Sequence, residues 1–241
     1  MRAAVAFLTP FGGARPPDAG TLDWFPLVGA CLGLVLGGVW WVASRAWPGP
    51  VAAAVLVAAD LVITGLLHFD GLIDSADGLL PPLAPARRLE VMADPHVGAF
   101  GVVVAGAVLL MRWASLAALR PGILLVAGLW CLSRTAMAVV ARTQPYVRGA
   151  GGLAHAFGVA STRRSGMRQW LPLGAGLALA ALLLGFWRVG PGAAAGGAAV
   201  VTVAAVVLLA RRRIGGYTGD VLGACGVLAE SVGLMVAAAR W

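Results

Sequence analysis

The segment HFDGLIDSADG, from His68 to Gly78, gathers the most chemically capable side chains of the chain into one short stretch. On a helix of about 100° per residue, Asp74 falls about 40° from Asp70, and Asp77 returns to about 20° on the other side. Asp70, Asp74 and Asp77 then share one face over two turns. Like charges this close repel one another, and desolvating them near a membrane is unfavourable. A divalent cation among them relieves both effects. Mg²⁺ takes a few carboxylates together with water and phosphate oxygens, and two such ions can bridge a diphosphate. Gly71 and Gly78 would let a phosphate approach the backbone. The segment also reads as a solvated acidic loop with Asp-Gly turns. His68 points about 160° away from Asp70 on a continuous helix. It suits either a general base or an interfacial hydrogen-bonding histidine.

Composition says what kind of elements must hold these groups. Of 241 residues, 60 % are hydrophobic and 12 % charged, and mean hydropathy is +0.89. Soluble domains carry about 25 % charged residues. Several apolar runs reach about 18 residues or more, enough to cross about 30 Å of hydrocarbon. These figures exclude a soluble enzyme, a disordered chain and a secreted disulfide scaffold. The expected fold is all-α: a polytopic integral membrane helical bundle forming one domain over residues 1–241. Seven spans are expected, at about 25–44, 51–68, 98–119, 122–141, 170–187, 192–210 and 220–239. The Gly-rich fifth and sixth also read as a tight hairpin. Cys31, Cys131 and Cys225 each lie in an apolar run without C-x-x-C spacing, which indicates packing and not a disulfide or zinc site. The apolar run after Arg2 is too short for the core of a cleaved signal, so insertion is expected to begin with the first full span.

All 18 cations are arginine, and the net charge is +8. They stand between apolar runs and not along a basic face, which argues for a topology signal and against nucleic acid. Twelve fall on the side shared by the N-terminus and every second loop: Arg2, Arg15, Arg87, Arg88, Arg142, Arg148, Arg163, Arg164, Arg168 and Arg211 to Arg213. Only Arg45, Arg120, Arg188 and Arg240 fall on the other. This asymmetry places the N-terminus and the longer loops in the cytoplasm. The segments His68–Gly78, Asp94–Gly101, Tyr146–Gly152 and Gly215–Gly223 then gather at cytoplasmic ends of spans. Asp60, Arg112, Arg134 and Glu230 lie inside spans and require partners. Asp60, Arg134 and Glu230 sit at similar depth, about 10–15 Å below the surface at 1.5 Å per residue, so Arg134 is expected to pair with Glu230 or Asp60 as structural support.

The motifs together resemble the adenosylcobinamide-GDP ribazoletransferase (cobalamin synthase) family. The likeness runs through Phe25-Pro26-Leu27-Val28-Gly29, Thr64-Gly65, the acidic segment, and Met92, Asp94, Gly98 and Gly101. It continues through Ser133-Arg134, Tyr146-Val147-Arg148 and Gly215-Gly216-Tyr217-Thr218-Gly219-Asp220, then Leu222-Gly223-Ala224 and Glu230. The acidic segment and GGYTGDVLGA are its specific parts. The resemblance implies a Mg²⁺-dependent enzyme of the bacterial inner membrane. Its substrates would be adenosylcobinamide-GDP and α-ribazole or its 5′-phosphate, with GMP and adenosylcobalamin or its phosphate as products. Membrane lipid is the expected surroundings, nucleic acid is not a partner, and a homo-oligomer is compatible. The acidic pattern is also similar in chemistry to CDP-alcohol phosphotransferases, but the A-R and the later spaced Asp pair of that motif are missing. An ion-coupled transporter is a third reading, disfavoured because no internal repeat is visible and the acids cluster at one surface.

With the family in view, Asp70, Asp74 and Asp77 are the expected Mg²⁺ ligands. Asp94 is a candidate fourth ligand or general base, alongside His68, or else an Asp-Pro turn residue with Pro95. Gly216, Thr218 and Gly219 form a candidate anion nest. Asp220 either joins the metal or caps the last span. Tyr146 and Arg148 contact nucleotide or corrin groups, or face anionic lipid; Arg134 completes the candidate substrate-binding set. The family commonly carries a cation where this chain has Ala93 and an arginine where it has His96, so Arg87, Arg88 or a protonated His96 is expected to substitute. A Glu often found three residues before Glu230 is Val227 here.

Overall fold

Proline, glycine and aromatic residues cut the chain into helices whose ends follow the apolar runs. The computed structural model describes residues 1–13, 17–18, 20–148 and 166–241. Arg15, Arg163, Arg164 and the segment 149–152 lie outside the described residues. The helices are α1 (Arg2–Leu8), α2 (Phe25–Ala46), α3 (Gly49–Ile63), α4 (Leu67–Leu79), α5 (Pro85–Val91), α6 (Ala99–Ala118), α7 (Ile123–Thr143), α8 (Leu171–Trp187), α9 (Val189–Ile214) and α10 (Gly219–Ala237). There is no strand among the described residues, only an isolated parallel bridge between Tyr146 and Tyr217.

Six helices (α2, α6, α7, α8, α9 and α10) are long and apolar enough to cross a bilayer. The chain is a polytopic helical membrane protein. Large apolar side chains such as Val42, Val103, Leu110, Phe186 and Val201 stay exposed on the outer faces of these helices, as expected where the surrounding solvent is lipid. Cys131 and Cys225 are buried, whereas Cys31 is exposed.

The expected second span, 51–68, is corrected. Helix α3 stops at Ile63, and α4 leaves it at 88°. The Thr64 hydroxyl donates to the Asp60 carbonyl at 2.7 Å, and Gly65 and Leu66 follow with φ of +60° and +62°. Gly65 is suited to that conformation, but a left-handed Leu is disfavoured by about 1–2 kcal/mol, so packing on either side must hold the break. At about 1.5 Å per residue, α3 alone is too short for about 30 Å of hydrocarbon. Counted as one bent crossing, α3 and α4 bring the number of crossings to seven. Helices α8 and α9 satisfy both earlier readings: each is long enough to span, and Arg188 alone joins them.

Helix α7 forms the centre of the bundle. Along α2, Gly29, Gly33 and Gly37 recur every fourth residue. A Cβ at each would lie 2.5 Å from the Trp130 carbonyl oxygen, 2.5 Å from Ala127 Cα and 2.8 Å from Ile123 Cα. Backbone therefore packs on backbone, the use membrane helices make of small residues at this spacing.

A buried ionic network lies across the core. Arg112 on α6 pairs with Asp60 on α3 and, at 3.0 Å, with Glu230 on α10. Glu230 also pairs with Arg134 on α7 and accepts from the Ser133 hydroxyl at 2.8 Å. The expected pairing of Arg134 with Glu230 is present. The role of Arg112 as the bridge between both acids was not foreseen. Its guanidinium carbon also sits 5.3 Å from the Phe69 ring centroid and 5.2 Å from that of Trp130. Two arginines and two acids balance, which makes the charge tolerable inside a membrane.

Candidate active site

The site is built where α4 lies against the first turns of α6 and α10. Two glycines let α4 and α10 meet closely. A Cβ on Gly71 would stand 2.8 Å from the Asp220 carbonyl oxygen, and one on Gly223 would stand 3.1 Å from that of His68. This contact carries Asp220 to the acidic helix. Asp74 comes within electrostatic reach of Asp70, Asp77 and Asp220, with Arg148 as the nearby cation. Arg148 lies 3.3 Å from the Asp220 carboxylate and donates to the Met92 carbonyl at 2.6 Å. Among the described residues, Asp70 and Asp74 have no ion-pair partner.

Asp77, expected as a Mg²⁺ ligand with Asp70 and Asp74, has a backbone donor on each oxygen. One of its oxygens accepts the Gly98 N–H at 2.8 Å and the other the Gly101 N–H at 2.9 Å. It thus satisfies the first turn of α6, where backbone donors have no helical partner and the helix dipole favours an anion. A side chain on Gly98 or Gly101 would collide with this carboxylate, which explains both glycines. Asp77→Ala is expected to destabilise the protein by about 1–2 kcal/mol. Asp77→Asn, which keeps an acceptor oxygen, should lose less stability and retain turnover within about tenfold, roughly 1.4 kcal/mol in the barrier. Thermal unfolding in detergent read beside turnover checks both; a collapse of activity in Asp77→Asn at unchanged stability would return Asp77 to the reacting centre.

Beneath Asp70 and Asp220 is a cavity of about 130 Å³. Its polar wall is His68, Asp70, Tyr146, Arg148 and Asp220; Phe7, Leu67 and Met137 supply the apolar wall. His68 is only 3 % exposed, and neither ring nitrogen has a hydrogen-bond partner among the described residues. Tyr146 is held by its bridge to Tyr217 and an edge-to-face ring contact at 5.4 Å; partial burial raises its phenol pKa above the ordinary value. The part of α1 in the wall had no sequence signal beyond Phe7 standing before Pro10.

Asp94 sits apart from this cavity wall. Its carboxylate accepts the His96 N–H at 2.9 Å and contacts the His96 ring at 2.7 Å. The backbone hydrogen bond first, and the ring contact second, hold its pKa below the usual carboxylate value, so the expectation of a turn residue describes its setting. In the glycine-rich segment, Thr218 caps α10 by accepting from the Val221 N–H at 3.3 Å and donates to Asp220 at 3.1 Å. Asp220 lies in the first turn and not at the cap. Gly216 is required by the Pro145 carbonyl and Val147, which its Cβ would strike, while Gly219 borders the cavity. Arg134 is 1 % exposed and engaged with Glu230 and Ser133, below the cavity wall. Arg88, a proposed substitute cation, is buried and donates to the Gly78 and Leu79 carbonyls at 2.8 and 3.0 Å, whereas exposed Arg87 pairs with Glu90.

Among the described residues, no group of three or more histidine, cysteine or acidic side chains is placed to hold a metal ion. The donor chemistry suits Mg²⁺ nonetheless, because that ion favours one or two carboxylates completed by water and substrate phosphate. Unpaired Asp70 and Asp74 beside Asp220 offer such a partial set.

A bundle of apolar helices with acidic side chains and a small cavity at the ends of α4 and α10 defines a polytopic helical membrane protein. The family described as cobalamin-5-phosphate synthase (CobS) matches residues 1–238, and the chain belongs to that family. Relatives named adenosylcobinamide-GDP ribazoletransferase include one from Desulfitobacterium hafniense, 38 % identical over 88 % of this chain and 83 % of its own. One from Chlorobaculum parvum is 38 % identical over 92 % of this chain and 86 % of its own. One from Ectopseudomonas mendocina is 37 % identical over 98 % of this chain and 97 % of its own. No solved structure matches the chain significantly.

Proposed function

We propose that this protein joins adenosylcobinamide-GDP to α-ribazole or its 5′-phosphate, releasing GMP and forming adenosylcobalamin or its 5′-phosphate. Family membership supports the overall reaction. The observation that carries the assignment of the site is that Asp70 and Asp220 line one cavity while Asp74 lies within electrostatic reach of both. Asp70 and Asp74, with Asp220 alongside, would hold Mg²⁺ through at most two carboxylates completed by water and phosphate oxygens. Bound there, the ion would neutralise the diphosphate and stabilise charge developing on the leaving phosphate. Arg148, fixed by the Met92 carbonyl and Asp220, presents a guanidinium to the same anionic group. The arginine asymmetry supports an inner-membrane orientation with this face in the cytoplasm.

The test is purified protein in lipid with adenosylcobinamide-GDP, α-ribazole and Mg²⁺. GMP and the joined corrinoid are expected in equal amounts, with no CMP from CDP-diacylglycerol. CMP release without GMP release would replace this reading with a lipid phosphotransferase.

A further inference from the structure

The end of the bundle opposite the acidic site holds a second cavity, of about 650 Å³. Helices α6 and α10 begin at the acidic site and finish here, at Ala118 and Ala237. Three of the four arginines that the sequence places on this side, Arg120, Arg188 and Arg240, line the cavity with Trp187 and Trp241. None of the chain's ten acidic side chains does. Among the described residues, none of the three guanidiniums has an ion-pair partner, the Trp241 carboxylate included. Nor does the end of α10 occupy them: its Leu234, Met235 and Val236 carbonyls accept from the Ala238 and Ala239 N–H groups, and Val236 also from the Trp241 indole at 3.0 Å. Gly122 and Arg188 on the wall are the N-terminal boundary residues of α7 and α9, where no side chain caps the first-turn N–H groups. Two positive helix ends therefore add to three unpaired cations. The missing partner is an anion.

A groove of about 630 Å³ between α8 and α9 adjoins this cavity. Its wall is apolar and includes Leu184, Gly185 and Val189, which flank Trp187 and Arg188 of the cavity in the chain. Val189 and Val201 are exposed, so the groove opens toward lipid, and Gly185 and Gly197 leave free space where a Cβ would stand. We propose that cavity and groove together bind one anionic glycerophospholipid, its phosphate among Arg120, Arg188 and Arg240 and an acyl chain between α8 and α9. Basic pockets between membrane helices take anionic head groups in this way, and tryptophans mark the head-group level. A second copy of the chain seated symmetrically in the groove would bring its own Arg188 to the same depth, cation against cation. A phospholipid supplies the negative charge instead.

Native mass spectrometry of the full chain released from detergent, with added phosphatidylglycerol or phosphatidylcholine of matched acyl chains, counts bound lipid and copies of the chain together. Wild-type protein should bind one phosphatidylglycerol at least about tenfold more tightly than phosphatidylcholine. Each of Arg120→Gln, Arg188→Gln and Arg240→Gln should weaken phosphatidylglycerol binding about fivefold, and the three together should remove the preference. Gly197→Leu keeps every arginine, and its Cβ meets no atom within 4 Å, so it should melt with the parent while filling the groove and weakening phosphatidylglycerol binding about tenfold. Free glycerol 3-phosphate should not displace the lipid. Equal affinity for the two lipids, or a preference that survives in the triple variant, overturns the proposal. Displacement by glycerol 3-phosphate with no effect of Gly197→Leu identifies a site for free phosphate and overturns it as well. So does a wild-type dimer that Gly197→Leu separates, which gives the groove to a second copy. Should the triple variant fail to fold, Arg240→Gln alone decides, because that residue is exposed beyond the end of α10.

Discussion

Asp74→Asn is expected to lower turnover by about 10²–10³, roughly 3–4 kcal/mol in the barrier, without unfolding the protein. The substitution preserves shape and removes one negative charge from a helix face that also holds Asp70 and lies beside Asp220. Repulsion among these acids works against the folded state, so the variant should melt at the same temperature as the parent or higher. That combination, lower activity at equal or greater stability, is characteristic of charges gathered for function. Chelation should abolish turnover in the parent, and Mg²⁺ should restore it, whereas excess Mg²⁺ should leave the variant largely inactive. Full turnover by Asp74→Asn with added Mg²⁺ would remove this carboxylate from the site.

The largest stability effect is expected at Arg112. Its guanidinium pairs with Asp60 and Glu230 and donates to the Val227 carbonyl at 3.1 Å and the Ser231 hydroxyl at 3.1 Å. Met has a similar volume and none of these donors. Among the described residues, Arg112→Met would leave Asp60 with only the Trp130 indole, which donates at 3.2 Å, and breaking a buried pair on one side typically costs about 3–5 kcal/mol. Glu230 retains Arg134 and Ser133, which locates most of the damage at Asp60. Asp60→Asn placed on Arg112→Met should therefore recover part of the loss, with a coupling of about 0.5–3 kcal/mol. Reversible denaturation in detergent measures both. Equal stability of Arg112→Met and the parent would show that the network orders the helices without stabilising them.

These two sites differ in how far the sequence revealed them. Asp70 and Asp74 were legible because helical periodicity alone puts them on one face, and the long spans because hydrophobic length alone defines them. Arg134 and Glu230 could be paired from depth. Arg112 was legible as a buried charge needing partners, but which acids it would bridge depended on the tilt of α3 against α6. The break after Ile63 has a weak local signal in Thr64-Gly65; the left-handed Leu66 beside it is imposed by packing. Asp77 looked like its neighbours because nothing local shows that Gly98 and Gly101, more than 20 residues away, would present their backbone N–H groups to it. Phe7 entered the cavity wall through a short N-terminal helix whose docking no pattern of spacing announces.

The division of labour between α4 and α10 bears on how the chain is made. Ribosomal synthesis delivers the acidic helix long before α10, which brings Asp220 to it and Glu230 to Arg112 and Arg134. Until that last segment emerges, Arg134 lacks its carboxylate and the cavity lacks one of its sides. Assembly of the acidic face is thus coupled to synthesis of α10: a nascent chain stalled before that helix would already hold five long apolar helices in the membrane, yet would leave Asp70 and Asp74 without Asp220 and Arg134 without Glu230.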